Sequence, residues 1–218
     1  MGGVIDFVMF LLVATNLALL ESSRLKTCIW LVAFQGMALG FLPVLVGYSH
    51  AGEIGLHAVF VGLISIILKG IIFPLLLMLA VHKANVRREI EPFVSYNVSI
   101  IIGVAALAAS IWLSRYLNIP ASAGGSLAVP LAFFTIFVGL LIITSRKKAI
   151  TQVVGYLVLE NGIFTFGFAV MPHAPFVVEL GILLDLLVAV FVMGIMILHI
   201  SATFDHIDVS RISTLGDE

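Results

Sequence analysis

Seven apolar stretches, each close to the roughly 20 residues that a helix needs to cross a bilayer, fill this chain between its clusters of charge. They run over residues 4–20, 27–47, 56–81, 94–113, 127–144, 149–170 and 176–200. What remains cannot make a water-facing surface: 61% of residues are hydrophobic and 11% are charged, against about 25% charged in soluble domains. The sequence therefore predicts an all-α integral membrane protein with seven transmembrane helices. Disorder, collagen-like repeats, a disulfide scaffold and a soluble nucleotide-binding domain are excluded on the same ground. A net charge of -1 offers phosphates no basic face, so nucleic acid is excluded as a partner. The one cysteine, Cys28, makes neither an internal disulfide nor a thiolate metal site. The first stretch reads as a span and not as a cleaved signal, because no basic residue precedes it and no small-residue cleavage site follows it before Glu21.

Basic residues collect on the cytoplasmic side of successive membrane helices, and here they alternate as seven helices require. Arg24 and Lys26 follow helix one, Lys83, Arg87 and Arg88 follow helix three, Arg146, Lys147 and Lys148 follow helix five, and Arg211 follows helix seven. Arg115 alone falls in a loop of opposite parity. This predicts an N-terminus outside and a C-terminus in the cytoplasm.

The chain also resembles itself. Ser22-Ser23-Arg24-Leu25-Lys26 after helix one matches Thr144-Ser145-Arg146-Lys147-Lys148 after helix five, and each leads into a helix with polar residues in mid-span, Gln35-Gly36 and Glu160-Asn161-Gly162. In the third members, Phe60-Val61 falls on Phe176-Val177 and Lys69 on Asp185. Residues 1–83 and 127–200 are therefore read as two three-helix units of the same orientation. Residues 84–126, with helix four, connect them, and 201–218 form a cytoplasmic tail.

An ionisable side chain at the bilayer centre costs about 2.5–3.5 kcal/mol on insertion scales, so each one is a functional hypothesis. Three qualify. At about 1.5 Å per residue, Glu160 lies ~17 Å into helix six, while Lys69 and Asp185 lie ~20 Å and ~14 Å from the outer face in helices three and seven. Two acids and a base at one depth predict a polar seam inside the bundle or against a partner subunit. One reading is a static ion pair of Lys69 with Asp185 or Glu160 that fixes helix register. The other is a titrating path, since desolvation favours a neutral carboxylic acid and a nearby cation favours its ionised form. Glu179, near the outer end of helix seven, is either interfacial or an outer mouth of that path. Gln35 hydrogen-bonds without storing charge, which suits helix packing. His57, His82, His173 and His199 lie near helix ends without metal-site spacing. Pro43 and Pro74 predict kinks in helices two and three, and Gly36, Gly40 and Gly70 permit close helix approach. No motif for iron-sulfur, nucleotide or serine-nucleophile chemistry occurs, so any linked redox chemistry belongs to other chains.

The run Gly155-Tyr156-Leu157-Val158-Leu159-Glu160-Asn161-Gly162, then Val178-Glu179-Leu180-Gly181 and Asp185, resembles the membrane subunit hydrogenase-4 component E. The tail Asp208-Val209-Ser210-Arg211-Ile212-Ser213-Thr214-Leu215 is similar to that family's ending, and the likeness extends over the whole length. That family is related to the three-helix K subunit of complex I, which carries membrane glutamates in its second and third helices. The resemblance implies that Glu160 stands for the second-helix glutamate and Glu179 or Asp185 for the third. The first unit departs from the pattern, with Gln35 and Lys69 where acids are expected, which puts a complete proton site there in doubt.

What the resemblance implies is a non-catalytic subunit of a membrane-bound hydrogenase or formate hydrogenlyase-type complex in a prokaryotic cytoplasmic (inner) membrane. Its partners would be antiporter-like and complex I-like membrane chains and a peripheral hydrogenase-like arm. Nickel-iron and iron-sulfur centres would sit in those partners, with no cofactor in this chain. A proton or sodium path through Glu160, Asp185, Lys69, Glu179 and Gln35 is the expected contribution. The alternatives are a subunit of a multisubunit cation/proton antiporter, a non-conducting spacer, and a stand-alone transporter.

Overall fold

A computed structural model describes residues 2–51, 56–83, 92–117 and 127–170, and every element of secondary structure more than one residue long among these described residues is a helix. Six helices among them are long and apolar enough to cross a membrane: Gly3–Glu21, Leu25–Leu45, Val59–His82, Tyr96–Leu117, Ala128–Ser145 and Ala149–Val170. The seventh stretch, residues 176–200, lies outside the described residues, and so do Glu179, Asp185, His173 and His199.

Two spans are interrupted where proline dictates. The second, expected as one helix, consists of α2 (Leu25–Gly40) and α3 (Leu42–Ala51) with a turn at Phe41. Pro43 has no N–H to return to the carbonyl four residues back, and the Phe41 N–H turns instead to Ala38 O and Leu39 O. The third comprises α4 (Leu56–Ile67), a π-turn (Leu68–Ile72) and α5 (Phe73–Lys83). Pro74 likewise cannot donate to Gly70, and the chain widens just before it, so that the Phe73 N–H reaches Leu68 O. The remaining spans are unbroken: α1 (Gly2–Glu21), α6 (Tyr96–Leu117), α7 (Ala128–Ser145) and α8 (Ala149–Val170).

In the bundle α7 and α8 form the tightest pair. A Cβ built on Gly139 would fall 2.8 Å from Gly155 O, and one on Gly162 would fall 2.7 Å from Ile136 N. Backbone meets backbone there, as small residues allow between membrane helices. Helix α1 packs on α2, α6 and α7, and α8 packs on α2 and α5. Helix α6 is the least buried of the six described spans, with Ile101, Val104, Trp112 and Tyr116 exposed.

One end of the bundle is tied by Arg146, 2% exposed. Its Nη2 donates to Leu20 O at 2.9 Å and its Nη1 to Val94 O at 3.2 Å, while the Tyr96 ring lies 4.4 Å from the guanidinium carbon. The end of α1, the segment before α6 and the α7–α8 junction thus gather at a single end, together with Arg24, Lys147 and Lys148.

Candidate functional site: a polar layer across the bundle

The apolar core is divided in two. Towards the Arg146 end lie Leu19, Ile29, Leu77, Phe134, Val138 and Val158; towards the other end lie Met9, Leu12, Leu39, Leu131, Phe164 and Phe168. Along each helix the switch from one half to the other is marked by buried polar residues: Thr15 and Asn16 in α1, Gln35 in α2, Thr135 in α7, Glu160 and Asn161 in α8. Ser65 and Lys69 belong to the same level in the third span.

Two groups of side chains make up this layer. In the first, the Lys69 Nζ donates to Glu160 Oε1 in an ion pair between the π-turn and α8. Lys69 is 6% exposed and Glu160 1%, so the pair is sealed from lipid as well as from water. The ammonium also lies 3.4 Å from Asn161 Oδ1 and 5.0 Å from the centre of the Phe164 ring. Phe164 stacks in turn on Phe168 with centroids 6.0 Å apart. Asn161 is braced from below, because the Thr165 hydroxyl donates to its backbone carbonyl at 2.7 Å. The other carboxylate oxygen, Glu160 Oε2, is buried and has no hydrogen-bond partner among the described residues.

In the second group, the Gln35 Nε2 donates to Thr15 Oγ1 at 2.8 Å and to Asn16 Oδ1 at 2.9 Å, and the Asn16 Nδ2 donates to Thr135 Oγ1 at 2.9 Å. The threonine hydroxyls themselves donate to Leu11 O and Leu131 O, both at 2.8 Å. Its donors thus end on backbone carbonyls, and the group joins α1, α2 and α7. Gln35 Oε1 remains without a partner among the described residues. Gln35 and Lys69 are neighbours in level but face different helices, since it is the next residue, Gly36, that meets Lys69.

Of the five residues expected to form a path, the structure therefore pairs Lys69 with Glu160 and puts Gln35 in a separate cluster. Glu179 and Asp185 lie outside the described residues. Asn161, Phe164, Asn16, Thr15 and Thr135 complete the layer without having been singled out as site residues. Their signal in the sequence was position: each neutral polar residue falls at the mid-height of its span. Among the described residues, no three His, Cys, Asp or Glu side chains gather as a metal site would need. His82 is exposed and Cys28 is buried near Ser22 O at 3.7 Å.

No family model matches the chain, and no solved structure does. Hydrogenase-4 component E of Escherichia coli K12 is 27% identical over 153 residues, 69% of this chain and 70% of its own, and the Shigella flexneri protein of that name matches equally. This likeness is distant and covers less than the whole length expected from the motifs. The uncharacterized protein Rv0085 of Mycobacterium tuberculosis is 30% identical over 215 residues, 98% of this chain and 96% of its own. The chain belongs to the family of that mycobacterial protein, with hydrogenase-4 component E as a distant relation.

Proposed function

We propose that this chain is a membrane-arm subunit of a complex I-like redox complex of the membrane-bound hydrogenase or formate hydrogenlyase type, and that it supplies part of a proton or sodium path at Lys69 and Glu160. The observation that carries the reading is the buried Lys69–Glu160 pair at the middle of the bundle, with Glu160 Oε2 lacking a hydrogen-bond partner among the described residues. A purely structural pair gains by having its remaining lone pairs satisfied. An ionisable pair buried in a membrane is a functional hypothesis by default, and a carboxylate oxygen without a partner among the described residues is one on which a proton can be placed. The distant likeness to hydrogenase-4 component E supports the type of complex.

In this reading the chain catalyses nothing. Two three-helix units, 1–83 and 127–200, are joined by helix four, with the N-terminus outside and a cytoplasmic tail over 201–218. The inner membrane of a prokaryote is the location. Antiporter-like and complex I-like chains are the membrane neighbours, and a peripheral hydrogenase-like arm holds the nickel-iron and iron-sulfur centres. Asp185, Glu179 and Gln35 are the further members of the path in this reading.

The test is to purify the assembly that accompanies this chain from its native membrane and reconstitute it in sealed vesicles. Nickel and iron should co-elute, whereas antiporter subunits alone would identify a cation/proton antiporter. Glu160→Gln keeps the size and hydrogen bonding of the side chain but removes its exchangeable proton. It should assemble, pass electrons to dyes at the peripheral arm, and lose ion movement. An unchanged number of ions moved per electron pair would overturn the conducting role and leave a spacer.

A further inference from the structure

The Lys69 ammonium meets α8 at three residues that share one face of that helix. Glu160 and Phe164 are four apart, one turn along, and Asn161 stands beside them. One of the three is not a hydrogen-bond acceptor of the usual kind: the Phe164 ring faces the ammonium at 5.0 Å, inside the range at which an aromatic face attracts a cation. The ring is buried, and Phe168 stacks against it at an interplanar angle of 25°, so its orientation is held from behind.

We infer that Phe164 is a positioning residue that holds the charge of Lys69 while Glu160 carries a proton. The inference rests on the conducting role proposed above. When an oxygen acid on the path delivers a proton to Glu160 Oε2, its own O–H bond breaks as one forms on the carboxylate, and the Lys69–Glu160 pair changes from neutral to one positive charge. The ammonium keeps its three hydrogens but loses its anionic partner in a site sealed from water. Glu160 is the ion-pair partner of Lys69 among the described residues, and the other described groups that face the ammonium are neutral: Asn161 Oδ1 at 3.4 Å and the ring. The aromatic face keeps the cation in reach of the carboxyl group, and the proton then leaves from Glu160 rather than from Lys69.

The test uses the assembly in sealed vesicles. Mono-, di- and trifluorophenylalanine placed at 164 weaken the negative ring face in steps with little change of shape. Ion movement should fall in even logarithmic steps, to about tenfold below wild type for the last, as expected for a desolvated cation–π contact. Phe164→Tyr should run near the native rate and Phe164→Leu should fall with the fluorinated forms, while electron transfer at the peripheral arm stays unchanged. If Phe164→Leu does not assemble, the fluorinated series decides alone. A flat series, in an assembly where Glu160→Gln has abolished ion movement, overturns the role of the ring and leaves the conducting role standing. Unchanged coupling in Glu160→Gln overturns both.

Discussion

Gly36 of α2 touches the root of Lys69: a Cβ added to Gly36 would fall 2.5 Å from the Lys69 Cβ and 3.5 Å from its Cα. The atoms in the way are anchored to backbone, so rotating the lysine does not relieve them. Gly36→Ala should therefore displace the π-turn from α2 at a cost of about 1–3 kcal/mol, the usual range for overpacking. Gly3→Ala, where nothing lies within 4 Å, is the matched control. Thermal unfolding of the purified chain in detergent reads the difference, and equal midpoints for the two variants would refute the contact.

Asn16 is the hinge of the second polar group, accepting from Gln35 and donating to Thr135. Hydrogen bonds between membrane helices average about 0.6 kcal/mol and reach about 1.7. Asn16→Ala should lie at the upper end because it breaks two of them. In a double-mutant cycle with Gln35→Ala the two losses should be less than additive, since either change removes the shared bond. Strict additivity in denaturant unfolding would mean that Asn16 and Gln35 are not bonded to each other.

Arg146 spans two carbonyls that a lysine cannot span at once. Arg146→Lys preserves the charge but should release the segment before α6, losing about 1.5–3 kcal/mol for one charge-assisted bond. The sensitive probe is the Phe93 amide, which donates to Ser145 O at 2.9 Å. Its hydrogen exchange should accelerate in the variant, with amides in the middle of α8 unaffected. Exchange at the wild-type rate would show that the Phe93–Ser145 contact holds without the arginine.

The proposed orientation, with the N-terminus outside, rests on the alternation of basic residues. In a Cys28→Ser background, an impermeant maleimide should label Leu117→Cys on intact cells and Glu21→Cys only after the membrane is opened. Both positions are exposed at the C-terminal ends of their helices, and because Arg146 ties the end of α1 to the segment before α6 the two ends lie at opposite ends of the bundle. The reverse pattern would invert the proposed topology.

Hydropathy made the six described spans legible almost residue by residue, and α8 begins and ends where its apolar stretch does. Lys69 and Glu160 stood out because ions are costly in lipid, and counting residues from the helix ends put them at one depth. Depth carries no information about azimuth, however, so the sequence left Lys69 with two possible partners and put Gln35 in line with them. Asn16 and Thr135 escaped notice for an energetic reason: neutral polar side chains cost little to insert, so they stand out only when seen from the side. Pro43 and Pro74 announced bends, but a proline does not state whether the chain tightens or widens before it. It turned at Phe41 in one case and opened into a π-turn in the other.

That π-turn sets the phase of the third span. Val61, Ser65, Lys69, Phe73, Leu77 and Val81 are all buried, and they recur at every fourth residue. On a regular α-helix of 3.6 residues per turn, each such step drifts by about 40°, so the row would wind from the protein to the opposite side within five steps. A wider turn takes up one residue and cancels about 100° of that drift. The third span can thus present a fourfold row to its neighbours from end to end because it carries one surplus residue, and it holds that residue at its buried charge, Lys69. Removing a single residue between Leu68 and Ile72 would leave Val61 and Ser65 facing inward while swinging Phe73, Leu77 and Val81 towards the lipid.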